Sequence, residues 1–162
     1  MMIKFLIPLL IFIPVAAFQL AIVPFIAVQN ISPNLIVVLL VFFTLKNGQM
    51  YGTFLGFLFG LLFDLISGGL LGAFMISFTI AGFIAGYFYN ENKLDITTSS
   101  FFLTLIVFIC AAVSLFLYSS VANSNSDVRM IYQIIEDGIL PAVYTAVFSI
   151  PVVIFNPKKG IE

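Results

Sequence analysis

Residues 48–72 read GQMYGTFLGFLFGLLFDLISGGLLG, and this stretch indicates the fold class. Its small residues recur every four positions at Gly48, Gly52, Gly56 and Gly60, and the step continues through Asp64 and Gly68. Residues four apart share one side of a helix, so the pattern predicts a helix with a small-residue face. In lipid no hydrophobic force draws helices together, and small residues allow the close contact that holds them. The stretch is therefore typical of a membrane helix packed against another helix.

The whole chain has the composition of a membrane protein. Of its 162 residues, 62% are apolar and 8% are charged, and the mean hydropathy is +1.23. Soluble domains contain about 25% charged residues. Because one span needs roughly 20 apolar residues, the length predicts a single all-α domain, residues 1–162, with about six membrane helices. No length remains for a separate soluble enzyme domain.

Turn signals divide the apolar sequence into six predicted spans. They cover about residues 3–23, 33–46, 51–67, 70–89, 99–121 and 138–155. The second span is short because Ser32 is predicted as its N-cap, Pro33 as its first residue, and Asn47 with Gly48 as its stop signal. Lys4 and the small residues 15–17 resemble a cleavable signal. The apolar run continues beyond them, which favours an uncut first span.

The basic residues predict the orientation of the spans. Six crossings with a cytoplasmic N-terminus place all the basic residues except Arg129 on the cytoplasmic side, namely Lys4, Lys46, Lys93, Lys158 and Lys159. If the short second helix did not cross, four of these lysines would lie outside. The charge rule therefore predicts six crossings with both termini in the cytoplasm.

Residues 123–137 form the longest predicted segment outside the membrane. Val128, Ile131 and Ile135 share one helical face, which predicts a short helix at the interface; an extra-long sixth helix is the alternative. Glu136 and Asp137 precede the last span, where carboxylates suit the positive end of the helix dipole.

The residue types present argue against catalysis and metal binding. The chain has no histidine and one cysteine, Cys110, which lies in an apolar run and is interpreted as a packing residue. The net charge of −1 gives no bias toward nucleic acid. The sequence predicts no catalytic residue, no metal and no cofactor.

Asp64 is the acid that lies within an apolar segment. An ionised carboxylate at the bilayer centre costs roughly 2.5–3.5 kcal/mol, but Asp64 lies near the outer end of its helix. It either caps local backbone or contacts a partner or substrate. Gly82 and Gly86 give the fourth helix a small-residue face of its own. These faces either pack within the chain or receive a partner helix, and the sequence leaves both alternatives open.

Two stretches carry a family resemblance: Ser-Pro-Asn-Leu at 32–35 and Leu-Phe-Asp-Leu-Ile-Ser-Gly-Gly-Leu-Leu-Gly at 62–72. With the glycine-spaced helix between them, they resemble the rod-shape-determining protein MreD family. The positions that match the family pattern are Pro33, Asn34, Asp64, Gly68 and Gly72. The resemblance covers about residues 31–86, with weaker support from residues 137–141.

The resemblance implies a non-enzymatic scaffold in the bacterial inner membrane, within the machinery of cell elongation and peptidoglycan synthesis. The implied direct partner is MreC, bound through the small-residue helix faces. The other implied partners are MreB, RodA, a class B penicillin-binding transpeptidase and membrane lipids, with no nucleic acid. The family is similar in fold to the S components of energy-coupling-factor transporters, so a vitamin-binding transporter subunit is the alternative. The residues predicted for helix packing or partner binding are Pro33, Asn34, Gly52, Gly56, Gly60, Asp64, Gly68, Gly72, Gly82 and Gly86.

Overall fold

The computed structural model describes residues 3–27, 31–90, 101–122 and 138–155. These ranges fold into helices α1 (Ile3–Ala21), α2 (Val23–Ile26), α3 (Leu35–Asn47), α4 (Gln49–Ser67), α5 (Ala73–Tyr87), α6 (Phe101–Ala122) and α7 (Leu140–Phe155). The all-α prediction is confirmed. The number of crossings and the similarity to S components stay predictions, and the interfacial helix within residues 123–137 lies outside the described residues, as do Glu136 and Asp137.

Two of the described helices are long and apolar enough to cross a membrane, namely Gln49–Ser67 and Phe101–Val121, of 19 and 21 residues. Four shorter apolar helical stretches accompany them: Leu6–Ala21, Leu35–Asn47, Ala73–Tyr87 and Leu140–Pro151. Helices of both groups expose large apolar side chains on their outer faces, such as Leu10, Phe54 and Phe101. This surface suits contact with lipid.

The short helix α3 lies at the centre of the bundle. It contacts α1, α4, α5, α6 and α7. Its side chains are buried on several sides, and Ile36, Leu40 and Leu45 are fully buried. A helix of 13 residues is about 20 Å long, so both of its ends lie within reach of the longer helices around it.

The start of α3 corrects one prediction. The helix begins at Leu35, and its N-cap is Asn34, whose Oδ1 accepts a hydrogen bond from the Val37 N–H at 3.3 Å. The prediction of Ser32 as N-cap and Pro33 as first helical residue is wrong. The Asn34 backbone is extended and its carboxamide oxygen satisfies a donor of the first turn, so the helix cannot start before it.

The neighbours of α3 are joined by aromatic and glycine-mediated contacts. Phe12 of α1 stacks on Phe59 of α4, with ring centroids 4.7 Å apart. The pair α4 and α5 packs closely, α5 packs on α6, and α6 packs on α7. Together these helices form a bundle around one continuous apolar core.

The turn between α4 and α5 depends on two glycines. Gly68 ends α4 with φ +66°, and Gly72 precedes α5 with φ +99°. Both angles lie in the left-handed region, which side chains with a Cβ adopt at a cost of about 1–2 kcal/mol. The helix α5 begins at Ala73, because Gly72 turns the chain just before it.

Gly72→Ala tests this backbone requirement. No atom lies within 4 Å of a Cβ at this position, so any loss of stability comes from φ alone. We expect the free energy of unfolding to fall by about 1–2 kcal/mol. The measurement is the reaction of buried Cys110 with a thiol-reactive dye during heating.

Gly69→Ala is the matched control, because a Cβ there meets only Ser67 Oγ at an ordinary 3.7 Å. Its unfolding curve should follow that of the wild type. Equal curves for both alanine variants and the wild type would contradict the required left-handed backbone at Gly72.

Candidate functional site

The predicted glycine faces meet each other between α4 and α5. A Cβ on Gly56 would overlap the carbonyl oxygen of Phe78, and a Cβ on Gly60 would overlap the backbone of Phe74 and Met75. These neighbours are backbone atoms, so no side-chain rotation makes room for them. Any side chain at Gly56 or Gly60 would therefore separate the two helices.

The same contact is made from the side of α5. A Cβ on Gly82 would overlap the carbonyl oxygen of Gly52, and one on Gly86 would overlap Cα of Gln49. Gly52 itself faces α3, where a Cβ would overlap the side chain of Thr44. These glycines thus lie against α3, α4 and α5 of the same chain.

Asp64 connects the end of α4 to the start of α5. Its carboxylate is 2% exposed and accepts hydrogen bonds from the backbone N–H groups of Gly72 at 2.8 Å, Phe74 at 3.2 Å and Met75 at 3.1 Å. Gly72 is the N-cap of α5 and has no side chain to offer, so Asp64 supplies the acceptors from the neighbouring helix. The negative charge also suits the positive end of the helix dipole.

This geometry distinguishes the two interpretations of Asp64. The donors belong to the first turn of α5, and the remaining first-turn donor, the Ala73 N–H, bonds to the Leu70 carbonyl oxygen at 3.2 Å. In the structure the buried carboxylate therefore acts as a cap for the start of α5.

A second group of caps holds the start of α3. Gln19 of α1 donates from Nε2 to the Pro33 carbonyl oxygen at 2.7 Å, and its Oε1 accepts from the Leu35 N–H at 2.9 Å. Thr145 of α7 accepts from the Asn34 N–H at 2.9 Å. Two neighbouring helices therefore satisfy backbone groups of α3 that its own residues leave unpaired.

From the sequence, Gln19 and Thr145 are uncharged polar residues inside spans, usable for interhelical hydrogen bonds but with no partner that the sequence identifies. The available signal was a polar side chain inside an apolar span, which is rare and usually buried against a partner. Pro33 and Asn34 were singled out, and they lie where these two helices meet α3.

A cavity of about 420 Å³ lies beside both groups of caps. Phe63, Phe74 and Tyr118 form an aromatic wall, with Phe74 stacked on Tyr118 at a centroid distance of 4.1 Å. Gln19 and Asn34 also line it, but the Gln19 carboxamide and the Asn34 oxygen already bond to backbone. The Ser32 and Tyr118 side chains also bring hydroxyl groups to its lining.

The described residues contain no group of three His, Cys, Asp or Glu side chains that could hold a metal ion. The Gln19, Asp64 and Thr145 side chains bond to helix starts, and several hydroxyls bond to carbonyl oxygens of their own helices, whereas the buried Ser67 hydroxyl has no hydrogen-bond partner among the described residues. The chemistry of this region, as far as the structure describes it, is that of structural hydrogen bonding.

Replacement of Asp64 tests the cap of α5. Asp64→Ala leaves three backbone donors without an acceptor, and we expect it to lower the free energy of unfolding by about 2 kcal/mol or more. Asp64→Asn keeps one carbonyl oxygen and should lose less. Dye reaction of Cys110 during heating measures both variants, and an alanine variant as stable as the wild type would contradict the assigned role.

Gly56→Leu tests the contact between α4 and α5. The added side chain must separate two backbones, so we expect a loss of about 1–3 kcal/mol or failure to fold. Ala17→Leu is the control, since it places a leucine at an exposed position of α1. A Gly56→Leu variant that elutes as a single species with wild-type protection of Cys110 would show that this face is open.

The comparisons with known proteins agree with the motif on which the resemblance was based. A family model described as rod shape-determining protein MreD matches residues 1–158. No curated protein and no solved structure matches the chain. The family match includes every described helix, from α1 to α7. The chain belongs to the MreD family of rod shape-determining proteins.

Proposed function

We propose that the chain is a non-enzymatic scaffold subunit of the bacterial elongation machinery, in which it links wall synthesis to the inner membrane. The family match over residues 1–158 carries the proposal, because the family acts in cell-shape determination. The caps at α3 and α5 support it, since the buried polar residues described there bond to backbone. Such residues stabilise a helix bundle, and their polar groups are then not free for catalysis or for binding a ligand.

The proposed topology has six crossings of the inner membrane, with both termini in the cytoplasm. The spans are α1 with α2, and then α3, α4, α5, α6 and α7. The distribution of lysines supports this orientation. The exposed apolar faces of these helices and the central position of short α3 are consistent with it.

The proposed direct partner is MreC, with MreB, RodA and a class B penicillin-binding transpeptidase in the same assembly. The glycine faces are packed within the chain, so the proposed MreC contact lies elsewhere. The turn at residues 68–72 is a suitable surface, because Leu70 is 54% and Leu71 74% exposed. Asp64 holds the end of this turn through the Gly72 N–H.

The alternative of a vitamin-binding subunit is not favoured. The family match indicates shape determination. The cavity beside the caps has the volume for a small ligand, yet the carboxamide of Gln19 and the oxygen of Asn34 are bound to backbone. Specific recognition requires convergent polar groups that are free to bond.

Complementation tests the proposed function. In the host bacterium with the chromosomal gene deleted, the plasmid-encoded wild-type chain should restore rod-shaped cells, measured as the ratio of cell length to width. Gly60→Leu, which disrupts the contact between α4 and α5, should leave the cells round. Round cells that contain the folded wild-type chain in their membranes would contradict the proposal.

Co-purification tests the proposed MreC contact. The double variant Leu70→Ser with Leu71→Ser should bind MreC at least about tenfold more weakly, because burying each of the two leucines is worth about 1.5 kcal/mol. Leu65→Ser is the control, since Leu65 is 62% exposed on α4 before the turn. Equal recovery of MreC with the double variant, the control and the wild type would exclude this turn as the contact.

A further inference from the structure

An apolar groove of about 490 Å³ runs between α1 and α7, with α3 as its floor. Val15 and Phe18 line it from α1, Val38 and Phe42 from α3, and Phe148 from α7. All its lining side chains are apolar, and the groove opens to the side of the bundle. In a membrane this position faces acyl chains.

Two hydrogen bonds hold the start of α7 to the rest of the bundle, one turn from the groove residue Phe148. The Tyr144 hydroxyl donates to the carbonyl oxygen of Ile26 at 3.1 Å, at the end of α2. One residue further along α7, Thr145 accepts from the Asn34 N–H. Phe148, the residue of α7 that lines the groove, lies one turn beyond these bonds toward the opposite end.

The opposite end of the groove carries positive charge. Lys46 is exposed in the last turn of α3, with Nζ 4.2 Å from the centroid of the Phe42 ring, which lines the groove. Within the described ranges Lys46 has no carboxylate partner. The other two walls have lysines next to this end in the sequence, since Lys4 is the second residue of α1 and Lys158 follows the end of α7 by three positions.

Along the sequence, the helices that form the groove are flanked by fewer acidic than basic residues at their predicted cytoplasmic ends. Glu91 and Asp95 belong to the connection between α5 and α6, neither of which lines the groove, and Glu162 ends the chain. Four of the six basic residues, namely Lys4, Lys46, Lys158 and Lys159, therefore adjoin the helices that form the groove.

We propose that the groove binds one anionic phospholipid of the cytoplasmic leaflet. One acyl chain lies along Val15, Val38 and Phe148, and Lys46 donates hydrogen bonds to the phosphate. An ammonium has three N–H donors, and basic pockets at the cytoplasmic ends of membrane helices suit anionic headgroups. This site is separate from the MreC contact proposed at residues 68–72.

The geometry favours a lipid over a partner's transmembrane helix. A helix that crosses the bilayer needs a surface along its full length of about 30 Å. The residues of α3 that line the groove run from Leu35 to Phe43, about 12 Å along the helix, which is too short for a crossing helix and long enough for much of an acyl chain. The charge at the open end suits a phosphate.

Native mass spectrometry of the full chain, purified in detergent, tests the site. The probes are phosphatidylglycerol and phosphatidylethanolamine with identical acyl chains. The wild type should retain one phosphatidylglycerol in preference to phosphatidylethanolamine. Lys46→Gln should bind phosphatidylglycerol about fivefold more weakly, while Lys46→Arg should keep most of the affinity.

Leu39→Trp fills the groove and should weaken the binding of both lipids, because Leu39 lines it. Leu61→Trp, on the exposed face of α4, is the matched control and should bind as the wild type does. Protection of Cys110 in each variant shows that the bundle is intact.

Three results would overturn the proposal. In the first, the wild type would retain no lipid. In the second, it would retain both lipids equally, and Lys46→Gln would not change their binding. In the third, Leu39→Trp would leave lipid binding unchanged and abolish co-purification of MreC, which would assign the groove to a partner helix. If the co-purification test contradicts only the proposed MreC contact at residues 68–72, the proposal for the lipid site is unaffected.

Discussion

Backbone N–H groups at a buried helix start need acceptors from within the protein, because lipid offers none. The structure meets this constraint with side chains from neighbouring helices. Asp64 of α4 accepts from three donors at the start of α5, and Gln19 of α1 with Thr145 of α7 holds the start of α3. Each of these bonds joins two helices as well as satisfying a backbone group. The packing of α3, α4 and α5 depends on them.

The glycines act together with the cap at Asp64. Gly56, Gly60 and Gly82 allow α4 and α5 to approach until their backbones touch. This approach brings the Asp64 carboxylate to the first turn of α5, 8 to 11 residues further along the chain. The small-residue face and the buried acid, which look like separate features in the sequence, thus serve one contact. We therefore expect partners to bind at surfaces that the contact between α4 and α5 leaves exposed.

The sequence predicted this region well where the signal is local. The step of four residues predicted a small-residue helix face, and the glycine pair at residues 68–69 marked the end of α4. The alternatives for Asp64 included local capping, but the specific donors depended on where α5 starts. Ser32 was a reasonable N-cap from residue type alone, and Asn34, two residues later, takes that position because its carboxamide reaches the first turn.

The hydrogen bonds between helices distant in the sequence could not be predicted from one sequence. Gln19 bonds to residues 14 and 16 positions away, and Thr145 bonds to the Asn34 N–H across 111 positions. A lone polar residue in an apolar span indicates a buried partner but not which one. The groove between α1 and α7 likewise follows from how helices distant in sequence assemble around α3.

Hydrogen exchange of the wild-type chain in lipid nanodiscs, followed by mass spectrometry of the peptide over residues 70–77, tests the central claim most directly. If Asp64 satisfies the start of α5, the amides of Gly72, Phe74 and Met75 exchange as slowly as those in the middle of α5. Exchange of these three amides at the rate of an unstructured peptide would contradict the claim that side chains of neighbouring helices cap the helix starts and hold the bundle together.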